Sequence, residues 1–132
     1  MFDILVVEDD VNLNQIYCST LNNNSFNAVP AFDGEEALNI MAEKNFDLVI
    51  SDIMMPCVDG YELTRQLRDY YPELPILMIS AKEGFEDKRH GFLAGIDDYM
   101  VKPVDLNEMI LRIHALLRRA KIVSERKLII GD

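Results

Sequence analysis

The chain has 132 residues, 49% of them apolar, and a formal net charge of −10; that is the size of one domain with a single core and a short tail. The charge is uneven. Met1 to Gly60 holds eleven acids against one base, Lys44, whereas Arg118 to Lys127 holds five bases against one acid. An acidic body does not attract nucleic acid and suits a cation or a basic partner better. No apolar run approaches the length of a membrane span, and the start MFDILVVEDD lacks the basic region and small-residue cleavage site of a secretory leader. The expected location is cytoplasmic, with no membrane contact. Cys18 and Cys57 form no CxxC pair and are expected to be reduced there.

Short apolar runs alternate with longer periodic ones. Ile4 to Val7 reads as a buried strand, and Val11 to Asn22, with Leu13, Ile16, Tyr17 and Leu21 at helical spacing, reads as a helix. Asn27 to Ala31 predicts a second strand. Asp33 with Glu36 three residues later is a helix-start signal, and Ala37, Ile40 and Met41 fall on one face of the helix it opens. Leu48 to Ser51 is a third strand. Asp59 and Glu62 start another helix, which YYPELP ends, and Ile76 to Ser80 is the fourth strand. Glu83 to Ala94 is a weaker helix and Tyr99 to Val101 the fifth strand. Asp105 and Glu108 cap a last helix carrying Leu106, Met109, Ile110, Ile113, Leu116 and Leu117.

Five strands thus alternate with five helices. Strands apolar on both faces imply a parallel sheet covered by helices on each side, and right-handed crossovers make it a three-layer α/β sandwich. In such folds the site lies beyond the carboxyl ends of the strands, where strand order reverses. That edge would collect Glu8, Asp9 and Asp10 after the first strand, Asp52 after the third, Ser80 ending the fourth, and Lys102-Pro103 after the fifth. Taken singly, each has an ordinary role as helix cap, turn or strand-end hydroxyl. Their concurrence at the ends of four strands points to chemistry.

Clustered carboxylates repel by about 4 kcal/mol per pair at 4 Å and an effective dielectric of 20. A hard divalent cation offsets this, and Mg²⁺ binds through one or two carboxylates while keeping several waters. Such an ion can hold a phosphoryl group against a carboxylate for in-line transfer. Asp52 is then a nucleophile that forms an acyl phosphate, Lys102 pairs with one phosphoryl oxygen, and Ser80 hydrogen-bonds another.

The motifs VVEDD, SDIMMPCVDGYE, ILMISA and GIDDYMVKP together resemble a response-regulator receiver domain of two-component signalling, over Met1 to Arg119. The resemblance implies a sheet of strand order 2-1-3-4-5. It also implies that Asp52 accepts a phosphoryl group from a sensor histidine kinase, with Mg²⁺ (Mn²⁺ as an alternative) held by Glu8, Asp9, Asp52 and the Met54 backbone carbonyl. It makes Ser80 the switch hydroxyl, Lys102 the phosphate-pairing lysine with a cis bond to Pro103, and Tyr99 the aromatic switch residue. Ser80 would move toward the phosphoryl group and Tyr99 would turn inward. Met54 and Lys82, two positions past Asp52 and Ser80, would influence phosphoryl lifetime. The domain would assist its own phosphorylation and dephosphorylation without being an enzyme in the turnover sense.

Residues 120–132, KIVSERKLIIGD after Ala120, resemble the linker and first strand of the winged-helix DNA-binding domain found in OmpR/PhoB-type transcription regulators. DNA contact would belong to that further domain. The same subfamily resemblance implies a homodimer through the fourth helix, fifth strand and fifth helix, with Lys88 paired to Glu108, Asp97 to Arg112 and Asp98 to Arg119. Two other readings share the architecture. A haloacid-dehalogenase-type phosphatase wants a second acid where Met54 stands. A flavodoxin-like flavin binder wants a small polar phosphate loop where Glu8-Asp9-Asp10 stands. His90 and His114 lie at no strand end and are expected to be helix-surface or partly packed residues.

Overall fold

The computed structural model describes residues 1–55 and 58–130, the last eight of these by backbone alone. The strands are β1 (Asp3–Val7), β2 (Asn27–Ala31), β3 (Leu48–Asp52), β4 (Ile76–Ser80) and β5 (Asp98–Val101). The helices are α1 (Val11–Asn23), α2 (Gly34–Glu43), α3 (Gly60–Tyr70), α4 (Phe85–Ala94) and α5 (Leu106–Ile130). All strand pairings are parallel and the order is β2-β1-β3-β4-β5, as the alternating pattern and the resemblance predict.

Side chains of a strand point alternately to its two faces, and here both faces are covered. Ile4, Val6, Leu48, Ile50, Leu77, Ile79 and Met100 pack under α1 and α5. Leu5, Val7, Val49, Ile76, Met78 and Tyr99 pack under α2 and α3 with Ala37, Met41, Leu63 and Leu67. Burial of each aliphatic side chain contributes about 1.5–3 kcal/mol.

Capping aspartates start the helices where the sequence places them. Asp33 accepts from Glu36 N at 2.7 Å, Asp59 from Glu62 N at 2.8 Å, and Asp105 from Asn107 N and Glu108 N at 2.9 and 3.1 Å. Helix α4 has no side-chain cap after Gly84 and begins at Phe85, two residues later than expected. It stops at Gly95, whose φ of 118° is a left-handed conformation that favours glycine.

In α1 the buried residues are Asn14, Tyr17 and Leu21, with Leu13 packed partly against the core, while Ile16 is 47% exposed. Apolar periodicity predicts the helix but does not reveal the polar Asn14 on its buried face. Over residues 120–130, expected as linker and strand, α5 runs on as helix to Ile130; Gly131 and Asp132 lie outside the described residues. The run from Leu106 to Ile130 contains no Gly or Pro to interrupt the helix. No described helix is long and apolar enough to cross a membrane.

Leu67→Ala is expected to destabilise the chain by about 2–5 kcal/mol, and Ile16→Ala by no more than about 0.5 kcal/mol. Urea unfolding followed by circular dichroism measures both; equal losses would contradict the inward stripe described for α1.

Candidate phosphoryl-acceptor and cation site

The stretch VISDIMMPCVDG ends a strand that lies between β1 and β4, so Leu48 through Asp52 are all buried. Asp52 is the last residue of β3 and is 7% exposed. Its Oδ1 accepts from Ile53 N at 2.7 Å. The loop returns at once, Gly60 N donating to Ile53 O at 2.8 Å. A Cβ on Gly60 would lie 2.3 Å from the Asp52 carbonyl oxygen, so only glycine lets α3 begin this close to the acceptor. Pro56 and Cys57 lie outside the described residues.

Glu8 and Asp9 follow β1, the strand beside β3. Glu8 is buried and Asp9 exposed. Carboxylate oxygens of Glu8, Asp9 and Asp52 all lie within 4.8 Å of one another. Lys102 enters from the end of β5 and is joined to Pro103 by a cis bond. Its Nζ donates to Glu8 Oε1 at 2.6 Å and to Asp52 Oδ2 at 3.0 Å. Burial works to lower the Lys102 ammonium, but the bonds to Glu8 and Asp52 outweigh it and push it up to about 12. The stability this gives is fully present below the ordinary value of 10.5 and is lost as pH rises through about 12. Burial pushes the Glu8 carboxyl up, and the bonds from Lys102 and from Asp10 N only partly offset it.

Three carboxylates facing one ammonium leave a net negative, all-oxygen donor set with one exposed member. Those residues fit a hard cation that retains water. A cleft of about 420 Å³ opens over them, lined by Asp9, Ile53, Met54, Met55, Asp59, Tyr61 and Lys82. Met54, which is 62% exposed, and Lys82 are both in its lining.

Ser80, at the end of β4, is fully buried, and its Oγ accepts from Lys82 N at 3.1 Å. Tyr99 is already turned inward at 7% exposure, its hydroxyl donating to Lys82 O at 2.7 Å. Burial pushes the Tyr99 phenol up, and a hydrogen bond with Ser80 pulls partly the other way. Hydroxyl, phenol and the β4–α4 loop are therefore one hydrogen-bonded unit.

Four of the charged residues expected at a dimer face, Asp97, Asp98, Glu108 and Arg112, are engaged within the chain. Arg112 donates to both Asp98 oxygens at 2.9 Å and to Glu108 Oε1 at 2.8 Å. Asp97 accepts from Arg68 at 2.6 Å and from Ile76 N at 2.8 Å. Inside one chain, then, Asp98 rather than Asp97 is the partner of Arg112. Asp97 and Arg119 line one pocket beside Leu116. Lys88 lies in α4, partly buried. His90 stacks on Tyr61 at 3.8 Å and accepts from Arg65, and His114 lies 5.2 Å from Phe26, both on helix surfaces as expected.

Two residues escaped the sequence reading. Arg68 also donates to Gly95 O at 2.7 Å and Leu74 O at 2.6 Å, tying α3 to the turns before β4 and β5. Asn14 is 1% exposed beneath the β1–α1 turn. Its only signal in sequence is a polar residue one turn ahead of Tyr17 and Cys18.

This fold, with an acidic cluster and a lysine at the carboxyl edge of its sheet, defines a doubly wound α/β domain of the flavodoxin-like type. The chain belongs to the response regulator receiver domain family, whose family model matches residues 4–114. It is therefore the receiver domain of a two-component response regulator, and the phosphatase and flavin readings fall away. It is similar to the heme response regulator HssR of Staphylococcus epidermidis, with 39% identity over 132 residues, covering 100% of this chain and 58% of that protein. The chain thus spans little more than half the length of such relatives. Among solved structures it resembles the Francisella response regulator 1452 receiver domain, with 34% identity, a TM-score of 0.86, and coverage of 90% of this chain and 98% of that one. Vibrio cholerae chemotaxis protein CheY4 gives 30% identity and a TM-score of 0.84, covering 88% and 98%.

Asp9→Asn is expected to stabilise the metal-free chain by about 1 kcal/mol, the repulsion of close charges in a water-like dielectric, and to lack the rise in melting temperature expected when Mg²⁺ is added to the wild type. Thermal melts with and without MgCl₂ test both parts. A variant that Mg²⁺ still stabilises would remove Asp9 from the ligand set.

Proposed function

We propose that Asp52 takes a phosphoryl group from the phosphohistidine of a sensor histidine kinase, in a reaction requiring Mg²⁺. Receiver domains are phosphorylated by such kinases, and the observation that carries the reading here is Lys102 bonded to both Glu8 and Asp52 within the acidic cluster. Glu8, Asp9, Asp52 and the Met54 carbonyl would hold the ion. When bound, Mg²⁺ neutralises charge on the equatorial phosphoryl oxygens.

The chain's own groups do the rest. An Asp52 carboxylate oxygen attacks phosphorus in line, the phosphorus–nitrogen bond breaks, and its electron pair leaves with the imidazole, which takes a proton. Lys102, already 3.0 Å from Asp52, is free to pair with a phosphoryl oxygen once the carboxylate charge moves outward. Ser80 hydrogen-bonds another. Loss of the phosphoryl group is hydrolysis of the acyl phosphate, with Met54 and Lys82 in the cleft lining limiting water's approach.

The switch follows from the bonded unit of Ser80, Tyr99 and Lys82. Drawing Ser80 toward the phosphoryl group strengthens the inward Tyr99 arrangement and shifts the population of the α4–β5–α5 face. That face would form a two-fold homodimer using Lys88, Asp97, Asp98, Glu108, Arg112 and Arg119. Because Arg112 and Asp97 already have partners in their own chain, pairing across the axis exchanges bonds. It sets register and partner choice more than net affinity. The greater length of relatives such as HssR supports a C-terminal DNA-binding domain after residues 120–132, through which dimerisation would control transcription.

With Mg²⁺ and acetyl phosphate, intact-mass analysis is expected to show one phosphoryl adduct that is absent from Asp52→Asn and absent without Mg²⁺. An adduct on the variant would displace Asp52 as the acceptor. Sedimentation is expected to show a dimer favoured on phosphorylation and weakened by Arg112→Ala. A monomer unchanged by phosphorylation would remove the dimer from the reading.

A further inference from the structure

We infer that Asn14 is a positioning residue for the acidic cation site, fixing the peptide that carries two of its carboxylates and so setting how tightly the site takes Mg²⁺. The inference rests on the Mg²⁺ reading above and names a residue which that reading does not use.

The parallel ladder between β1 and β2 ends at the pair Val7 and Ala31. Past it the two chains separate, and Glu8 N makes the last backbone bond, to Ala31 O at 3.0 Å. Asn14 fills the gap from the first turns of α1. Its Nδ2 lies 3.2 Å from Val6 O, 3.0 Å from Glu8 O and 3.0 Å from Ala31 O. An amide nitrogen has two hydrogens, so with three acceptors at least one hydrogen is shared. Its Oδ1 accepts from the Cys18 thiol at 3.2 Å, and burial pushes that thiol up to about 11, so it remains a donor. Three carbonyls on one side and a thiol on the other fix which way the carboxamide points.

The middle acceptor is the carbonyl of Glu8, and it belongs to the peptide joining Glu8 to Asp9. A planar peptide held at its oxygen cannot rotate freely. The Glu8 side chain leaves from one end of that plane toward Lys102, and the Asp9 side chain leaves from the other. Any tilt of the plane moves both carboxylates relative to Asp52, which the sheet holds in place. No exposed group could act here, because Asn14 is 1% exposed. An apolar side chain in the same volume would keep the packing but release the peptide. Loss of a group that orients ligands from behind typically weakens metal affinity about 10–100-fold.

The test is a Mg²⁺ titration of the full chain, followed by amide NMR shifts, for wild type and Asn14→Leu. The expected result is a dissociation constant about tenfold weaker in the variant. A lowered melting temperature with an unchanged Mg²⁺ constant would overturn the proposal, since packing alone accounts for that pair of results. Wild type that takes up no Mg²⁺ would instead overturn the cation site, and the role of Asn14 with it. Should Asn14→Leu fail to fold, the wild-type carboxamide is read directly. Its two side-chain protons are expected to exchange slowly with solvent and to shift as Mg²⁺ binds. Fast exchange and no shift would overturn the inference.

Discussion

Everything at the functional edge turns on an electrostatic imbalance: three carboxylates share a small space with one ammonium. The folded chain brings Glu8, Asp9 and Asp52 within 4.8 Å, a gathering that opposes folding by a few kcal/mol in any dielectric below that of water. Lys102 offsets part of it, and its bonds to Glu8 and Asp52 hold β1, β3 and β5 together at their carboxyl ends. The remainder is an uncompensated field that attracts a small hard cation. A site of this kind gives up some stability in the empty chain, and binding returns it.

The same edge is joined by hydrogen bonds to the loop that leads to α4. Asp52 and Ser80 end neighbouring strands, so a change of charge at one is felt by the other within a few ångströms. Ser80 and Tyr99 are both bonded to the backbone of Lys82, in the loop before α4. Gly91 keeps that helix close: a Cβ there would lie 2.8 Å from Ile96 Cδ1 and 3.3 Å from Met78 Sδ. The helix has no side-chain cap at its start, and a helix end without a cap moves at less expense than one that has it.

Most of the architecture was legible in the residues. Four buried apolar runs ending in a polar residue, helix starts marked by Asp33, Asp59 and Asp105, and the YYPELP stop each carry a local physical cause, and each lies where that cause puts it. Asp52 and Lys102 could be singled out because a carboxylate or an ammonium at the end of a buried strand is costly without a purpose. The misreadings have causes as well. Ile16 shares the helical spacing of Tyr17 and Leu21 yet lies exposed, because apolar spacing does not say where a helix face begins. Asn14 was passed over because a buried polar residue is recognised only when its partners are known. Residues 120–132 resemble a linker and strand, and up to Ile130 their composition also suits the helix that extends α5.

What the sequence determined by itself was therefore the alternation of elements, the parallel sheet, and the chemical character of its carboxyl edge, because these follow from periodicity and from the type of residue at each strand end. What only the tertiary structure decided was pairing: Lys102 with Glu8 as well as Asp52, Arg112 with Asp98 rather than Asp97, Asp97 with Arg68, and Asn14 with three carbonyls. A charge or an amide in a sequence states what it can bond. Contacts at hydrogen-bond distance between residues far apart in the chain are set by how helices pack on the sheet, and that packing is a property of the whole chain at once.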